Sequence, residues 1–130
     1  MIRQIDPESA WSLLQDHPET VLIDVRDPLE FSLVGHPPGA VNIPWKFAPD
    51  WRINENFTAQ VRQAIGDPHL PLLLLCRSGQ RSQEAAQALE AAGFSDLYNV
   101  QEGFEGPLDP FRHRSSLAGW RFRGLPWEQS

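Results

Sequence analysis

This chain has a single cysteine, and the residues that follow it are the types that chemistry at sulfur requires. Cys76 ends the apolar run Leu72–Cys76 and is followed by Arg77-Ser78-Gly79-Gln80-Arg81-Ser82. A thiol at the carboxyl end of a buried strand faces the crevice where open α/β sheets bind ligands. Gly79 allows a tight turn with its amides directed inward, and a helix behind it completes an anion cradle. Arg77 and Arg81 add positive charge within or beside that cradle. Ser78 and Ser82 are placed either to donate to a bound anion or to cap the helix. Cations and a helix N-terminus favour the thiolate, the nucleophilic form of cysteine. Such a thiolate can attack the outer sulfur of an oxyanion such as thiosulfate, release sulfite and keep the sulfur as a persulfide. A free cysteine after a leucine run is often an inert core thiol. A core strand, however, has no use for two arginines around a tight turn. With one cysteine there is no internal resolving thiol, so the sulfur acceptor must come from outside the chain.

Other polar residues read as structural. Asp24 and Arg26 end a strand and are expected to form an ion pair or turn-anchoring network near the site, because buried charges need partners. His36, beside Pro37, Pro38 and Gly39, is expected to shape a turn. His17, His69 and His113 show no ligand spacing, so no metal site is expected. Trp120 and Trp127 are expected to pack on the sheet rather than line an acceptor pocket.

The elements that would position Cys76 alternate between strand and helix. A helix opens with Asp6 as N-cap, Pro7 at its first position and Glu8 in the first turn, and stops at Pro18. Val21–Val25 reads as a buried strand, Pro28–Leu33 as a short helix closed by Gly35, and Ala40–Ile43 as a second strand. Within residues 44–71, Trp45, Phe47 and Trp51 are too apolar for a free loop, and Asn56–Ile65 suits a helix. Leu72–Leu75 reads as a central strand, apolar on both faces like most parallel strands. A helix follows over Arg81–Ala92, with Gly93 at the left-handed closing position and Phe94 folding back on Leu89. Asp96–Val100 is the last strand. Strands separated by helices imply an α/β sheet with right-handed crossovers. Residues 106–130 carry Phe111, Trp120, Phe122, Leu125 and Trp127, too many large apolar groups to leave in water. They are therefore expected to dock as a C-terminal extension on a domain spanning 1–105.

A net charge of -6 argues against nucleic-acid or anionic-membrane binding, which needs a concentrated basic face. No basic stretch leads into a long apolar run at the N-terminus, and the leucine run is far short of the ~20 residues of a membrane helix. A cytoplasmic, reducing location is expected.

These pieces resemble the rhodanese family. The matching stretches are Leu22–Arg26, Glu30-Phe31, Gly35–Pro44, the Cys76–Arg81 loop, Ala92-Gly93-Phe94, and Tyr98-Asn99-Val100 before Gly103. They fall in the family's order over about residues 5–105. The resemblance implies a five-stranded parallel sheet flanked by helices on both faces, a catalytic cysteine at Cys76, and no metal or organic cofactor. It also implies sulfurtransferase activity on a small sulfur-donor anion such as thiosulfate. The acceptor would be an external thiol, cyanide or a protein. Two departures stand out: Gln101-Glu102-Gly103-Phe104 where the family often has Gly-Gly, and a tail outside the common core. Two other functions use similar parts. Cysteine phosphatases and arsenate reductases resemble a Cys-x5-Arg loop, whereas only four residues separate Cys76 from Arg81. A non-catalytic interaction module would have no need of Cys76 with both arginines.

Overall fold

The computed structural model describes residues 1–130. The chain opens with strand β1 (Ile2–Ile5), then helix α1 (Pro7–Asp16), strand β2 (Val21–Asp24) and one turn of π-helix (Glu30–Val34). Strand β3 (Val41–Asn42) is followed by a hairpin of β4 (Lys46–Phe47) and β5 (Arg52–Ile53), then α2 (Phe57–Ile65). Strand β6 (Leu72–Leu75), helix α3 (Gln80–Ala91) and strand β7 (Leu97–Val100) complete the regular elements. Strands β1, β7, β6, β2 and β3 lie side by side in that order and form one five-stranded sheet, with every pair parallel.

The local signals explain most boundaries. Asp6 accepts a hydrogen bond from the Ser9 amide at 2.8 Å, and Pro7 needs no partner for the amide it lacks. Helix α3 ends as its sequence requires: Gly93 N donates to Glu90 O and Phe94 N to Leu89 O. Strand β6 sits at the centre, fully buried, in register with β2 and β7 on either side. That position uses its unbroken leucine run, because both faces of a central parallel strand are covered.

Two features depart from the sequence reading. A strand precedes the expected helix: β1 pairs along β7 at the sheet edge, Ile2 opposite Leu97 and Ile5 opposite Val100. Its middle residues, Arg3 and Gln4, are polar, so the segment lacks an apolar signature and is extended only because β7 offers it an edge. The expected short helix over Pro28–Leu33 forms, but from Glu30 it is wound as a π turn that runs on to Val34 and closes at Gly35.

The two faces of the sheet are covered differently. On one, α2 and α3 contribute Phe57, Val61, Ala85 and Leu89 to a core with Ile23, Leu72 and Leu74. On the other, Ala10 of α1 is joined by Phe104 and Trp120 over Leu22, Leu73, Leu75 and Val100. Helix and irregular C-terminal chain thus share that second face. Trp120 has no exposed surface, packs edge-on against Trp11 at 5.9 Å and donates its indole N–H to Pro126 O at 2.8 Å. Further on, His36 and Glu128 exchange backbone hydrogen bonds of 2.8 and 2.9 Å.

Candidate active site

Cys76 lies just past the carboxyl end of β6 and before α3, at the floor of a cavity of about 300 Å³. Arg77, Ser78, Gln80 and Arg81 line the cavity from the loop and the start of α3. Cys76 is 1% exposed and packs in the apolar core on the α2 and α3 face, but its sulfur also has polar neighbours. Gly79 N donates to Sγ at 3.1 Å, and Ser82 Oγ lies 3.2 Å from it. The first-turn amides of α3 have no partners within the helix, so its positive end is directed at the loop.

Glycine is required at 79. Its φ is +105°, and a Cβ there would lie 2.2 Å from Gln101 O. Gly103 is equally constrained, since a Cβ would meet the Arg77 carbonyl at 2.4 Å. The turn after β7 therefore presses directly on the Cys76 loop. It is bonded there as well: Phe104 N donates to Cys76 O at 2.8 Å, and the Glu105 and Gly106 amides donate to Arg77 O. The Gln101–Phe104 departure from the family's Gly-Gly pattern retains the one glycine that this contact needs.

Ser82 belongs to a buried chain of side chains behind the sulfur. Asn99 Nδ2 donates to Gly79 O at 3.1 Å and to Gln4 Oε1 at 2.8 Å, which turns its Oδ1 toward Ser82. Ser82 Oγ donates to that oxygen at 2.5 Å. A backbone carbonyl can only accept, so the amide orientation is set, and the single Ser82 proton is held by Asn99. The Ser82 hydroxyl then accepts from the thiol; to serve a thiolate it must turn its proton away from Asn99. Neither Ser78 nor Ser82 caps α3, whose N-cap is Gly79 without a side-chain hydrogen bond.

The two arginines of the loop differ in kind. Arg81 makes a bidentate pair with Glu30, at 2.8 and 3.0 Å, and its guanidinium lies 4.9 Å from the Trp51 ring centre. Its charge is thus spent largely on Glu30. Burial pushes the Glu30 carboxyl up, but the Arg81 hydrogen bonds and charge outweigh it and hold the group below its ordinary range. Arg77 pairs with no carboxylate, and its Nε is buried without a hydrogen-bond partner. Asp24 and Arg26, both fully buried, form the structural pair the sequence suggested, with Arg26 also donating to Gly35 O at 2.7 Å. His36 stacks on Phe31 at 3.7 Å and sits in the turn, outside the cavity.

The model of the rhodanese-like domain matches residues 6–107. The chain belongs to the rhodanese-like domain family. A thiosulfate sulfurtransferase, GlpE, from Pseudomonas syringae is 37% identical over 103 residues, covering 79% of this chain and 84% of its own. An uncharacterized protein of Rickettsia rickettsii, a homolog of RP600, is 30% identical over 98% of both chains. Among solved structures, Rv0390 from M. tuberculosis superposes with a TM-score of 0.86 at 40% identity, covering 98% of this chain and 97% of its own.

This rhodanese-like domain builds the far wall of its cavity from residues that the sequence did not point to. Lys46 and Trp51 come from the β4–β5 hairpin and Glu84 from α3. Lys46 pairs with Glu84 at 2.9 Å, and Trp45 donates its indole N–H to the same carboxylate at 3.1 Å. The only advance signal was the apolar content of residues 44–71. Trp120 and Trp127 do not line the cavity.

Proposed function

We propose that this chain is a sulfurtransferase that carries sulfane sulfur on Cys76, with thiosulfate or a related anion as donor. The observation that carries the reading is the placement of Cys76 Sγ at the floor of an open cavity, with the Gly79 amide donating to it and Arg77 free of any carboxylate. The Cys76 thiolate attacks the outer sulfur of thiosulfate. A new sulfur–sulfur bond forms at Cys76 as the bond to the sulfonate breaks, and the electron pair leaves with sulfite. The persulfide keeps one negative charge, which the Gly79 amide and the α3 N-terminus stabilise. Arg77 holds the donor oxyanion, with Ser78 and Gln80 beside it in the cavity wall; Arg81 shapes that wall through Glu30. An external nucleophile such as cyanide, a small thiol or a protein thiol then takes the terminal sulfur, and the thiolate is regenerated.

The four-residue interval between Cys76 and Arg81, together with the Glu30 pairing of Arg81, disfavours phosphate-monoester or arsenate chemistry. Those reactions need an arginine free to clamp a tetrahedral anion. The test is intact-mass measurement after thiosulfate treatment. The expected product is a single adduct about one sulfur atom heavier on Cys76, with stoichiometric sulfite, both lost in Cys76→Ala. Absence of the adduct, or robust aryl-phosphate hydrolysis, overturns the reading.

A further inference from the structure

The geometry points to residues 107–116 as a docking surface for an acidic protein that accepts sulfur from Cys76. The choice of Cys76 as sulfur donor rests on the reading above; the surface itself rests on charge and geometry. Of the eleven lysines and arginines, seven pair with carboxylates. The four left without such a partner are Arg62, Arg77, Arg112 and Arg114. Three of these belong to the Cys76 loop or to the segment that packs against it. Residues 106–130 hold four arginines against two carboxylates in a chain whose net charge is -6. Arg77 lines the Cys76 cavity, and Arg114 lies near enough to Arg77 and Arg81 to feel their charge.

The segment is joined to the site by hydrogen bonds. Arg77 O accepts from the Glu105 and Gly106 amides, and Arg114 Nη1 donates to Gly106 O at 2.7 Å. Burial and then the positive charges of Arg77 and Arg81 lower the Arg114 guanidinium below its ordinary value, against the opposing pull of the Glu105 carboxylate. The loop itself is rigidly built. Asp109 accepts from the Phe111 and His113 amides, both at 2.8 Å, and from Ser116 Oγ at 2.6 Å. Asp109 N donates to His113 O at 2.8 Å as well. Asp109, the one carboxylate on the loop, makes these contacts and no salt bridge to Arg112 or Arg114, so two arginines stand against one carboxylate there. At the tip, the Phe111 amide is held by Asp109 while the residue is 80% exposed, flanked in sequence by exposed Leu108 and Leu117. An exposed aromatic beside arginines that make no salt bridge is the composition of an interface anchor. The charge selects an acidic partner and speeds its encounter.

The test uses full-length chain carrying the Cys76 persulfide and two cysteine peptides, one flanked by glutamates and one by glutamines. For each peptide the transfer rate of Arg112→Asn/Arg114→Gln is divided by that of wild type, which cancels the peptide's own thiol reactivity. The expected ratio falls about tenfold for the acidic peptide at low salt and stays near one for the neutral peptide. Phe111→Ser should lower both ratios. Equal ratios for the two peptides overturn the proposal. A second measurement is independent of sulfur chemistry. Fluorescence anisotropy of the acidic peptide with serine in place of cysteine should show salt-sensitive binding to Cys76→Ala that the double substitution abolishes. Persistence of binding in that variant, or no binding to begin with, overturns the surface even where persulfide transfer is intact. Absence of persulfide with binding preserved overturns the sulfur reading alone.

Discussion

Gly79→Ala tests the link between backbone shape and sulfur chemistry. At φ +105° an alanine is strained, by roughly 1–2 kcal/mol for a left-handed conformation. Its Cβ would also sit 2.2 Å from Gln101 O, where ordinary contact begins at 3.4 Å. The loop and the turn after β7 must therefore part by about 1.2 Å to reach normal van der Waals separation. That movement draws the Gly79 amide away from Sγ, now 3.1 Å distant. Losing a hydrogen bond to a charged group costs about 1.5–3 kcal/mol. Each 1.4 kcal/mol is about tenfold, so Cys76 alkylation by iodoacetamide at pH 7 should slow by roughly ten- to a hundredfold. Persulfide formation from thiosulfate should slow at least as much. Strain and clash together should cost roughly 3 kcal/mol, a Tm lower by on the order of 10 °C. Gly66→Ala is the control. Gly66 has φ +78°, and a Cβ added there would meet nothing within 4 Å, so the variant should lose some stability and no reactivity. Wild-type alkylation in Gly79→Ala, or an equal loss in Gly66→Ala, would refute the assignment of that amide to the sulfur.

Two further outcomes follow from contacts elsewhere. Trp120→Ala removes a fully buried side chain from the face that α1 shares with the C-terminal segment, and should cost about 3–5 kcal/mol in urea unfolding. Trp120→Phe should recover a substantial part of that loss. The Glu30–Arg81 pair gives a pH dependence. Because the folded Glu30 carboxyl is held below its ordinary 4.5, its contribution is complete above that value and is lost as pH falls through the lower folded value. Wild type should therefore lose stability more steeply on acidification than Glu30→Gln. Parallel acid limbs in thermal unfolding would show that the pair adds nothing.

The reactive centre was readable in one dimension because its parts are contiguous. Cys76, Gly79 and the start of α3 lie within a few residues, and a left-handed glycine before a helix is a local property. The central strand was legible for a similar reason, since Leu72–Leu75 is apolar on both faces wherever it is placed. Strand β1 was not legible: Arg3 and Gln4 become extended only against the free edge of β7, far along the chain. The charge state of the loop arginines was equally hidden. Glu30 neutralises Arg81 from a position 51 residues away, while Arg77 finds no carboxylate at all. Lys46 and Trp51 reach the cavity through a short hairpin whose pairing is two residues long, and Asn99 reaches Ser82 from the neighbouring strand. Local bonding rules determine which residues can be reactive. Which charges remain unpaired around them depends on contacts between distant segments, and those exist only once the chain has folded.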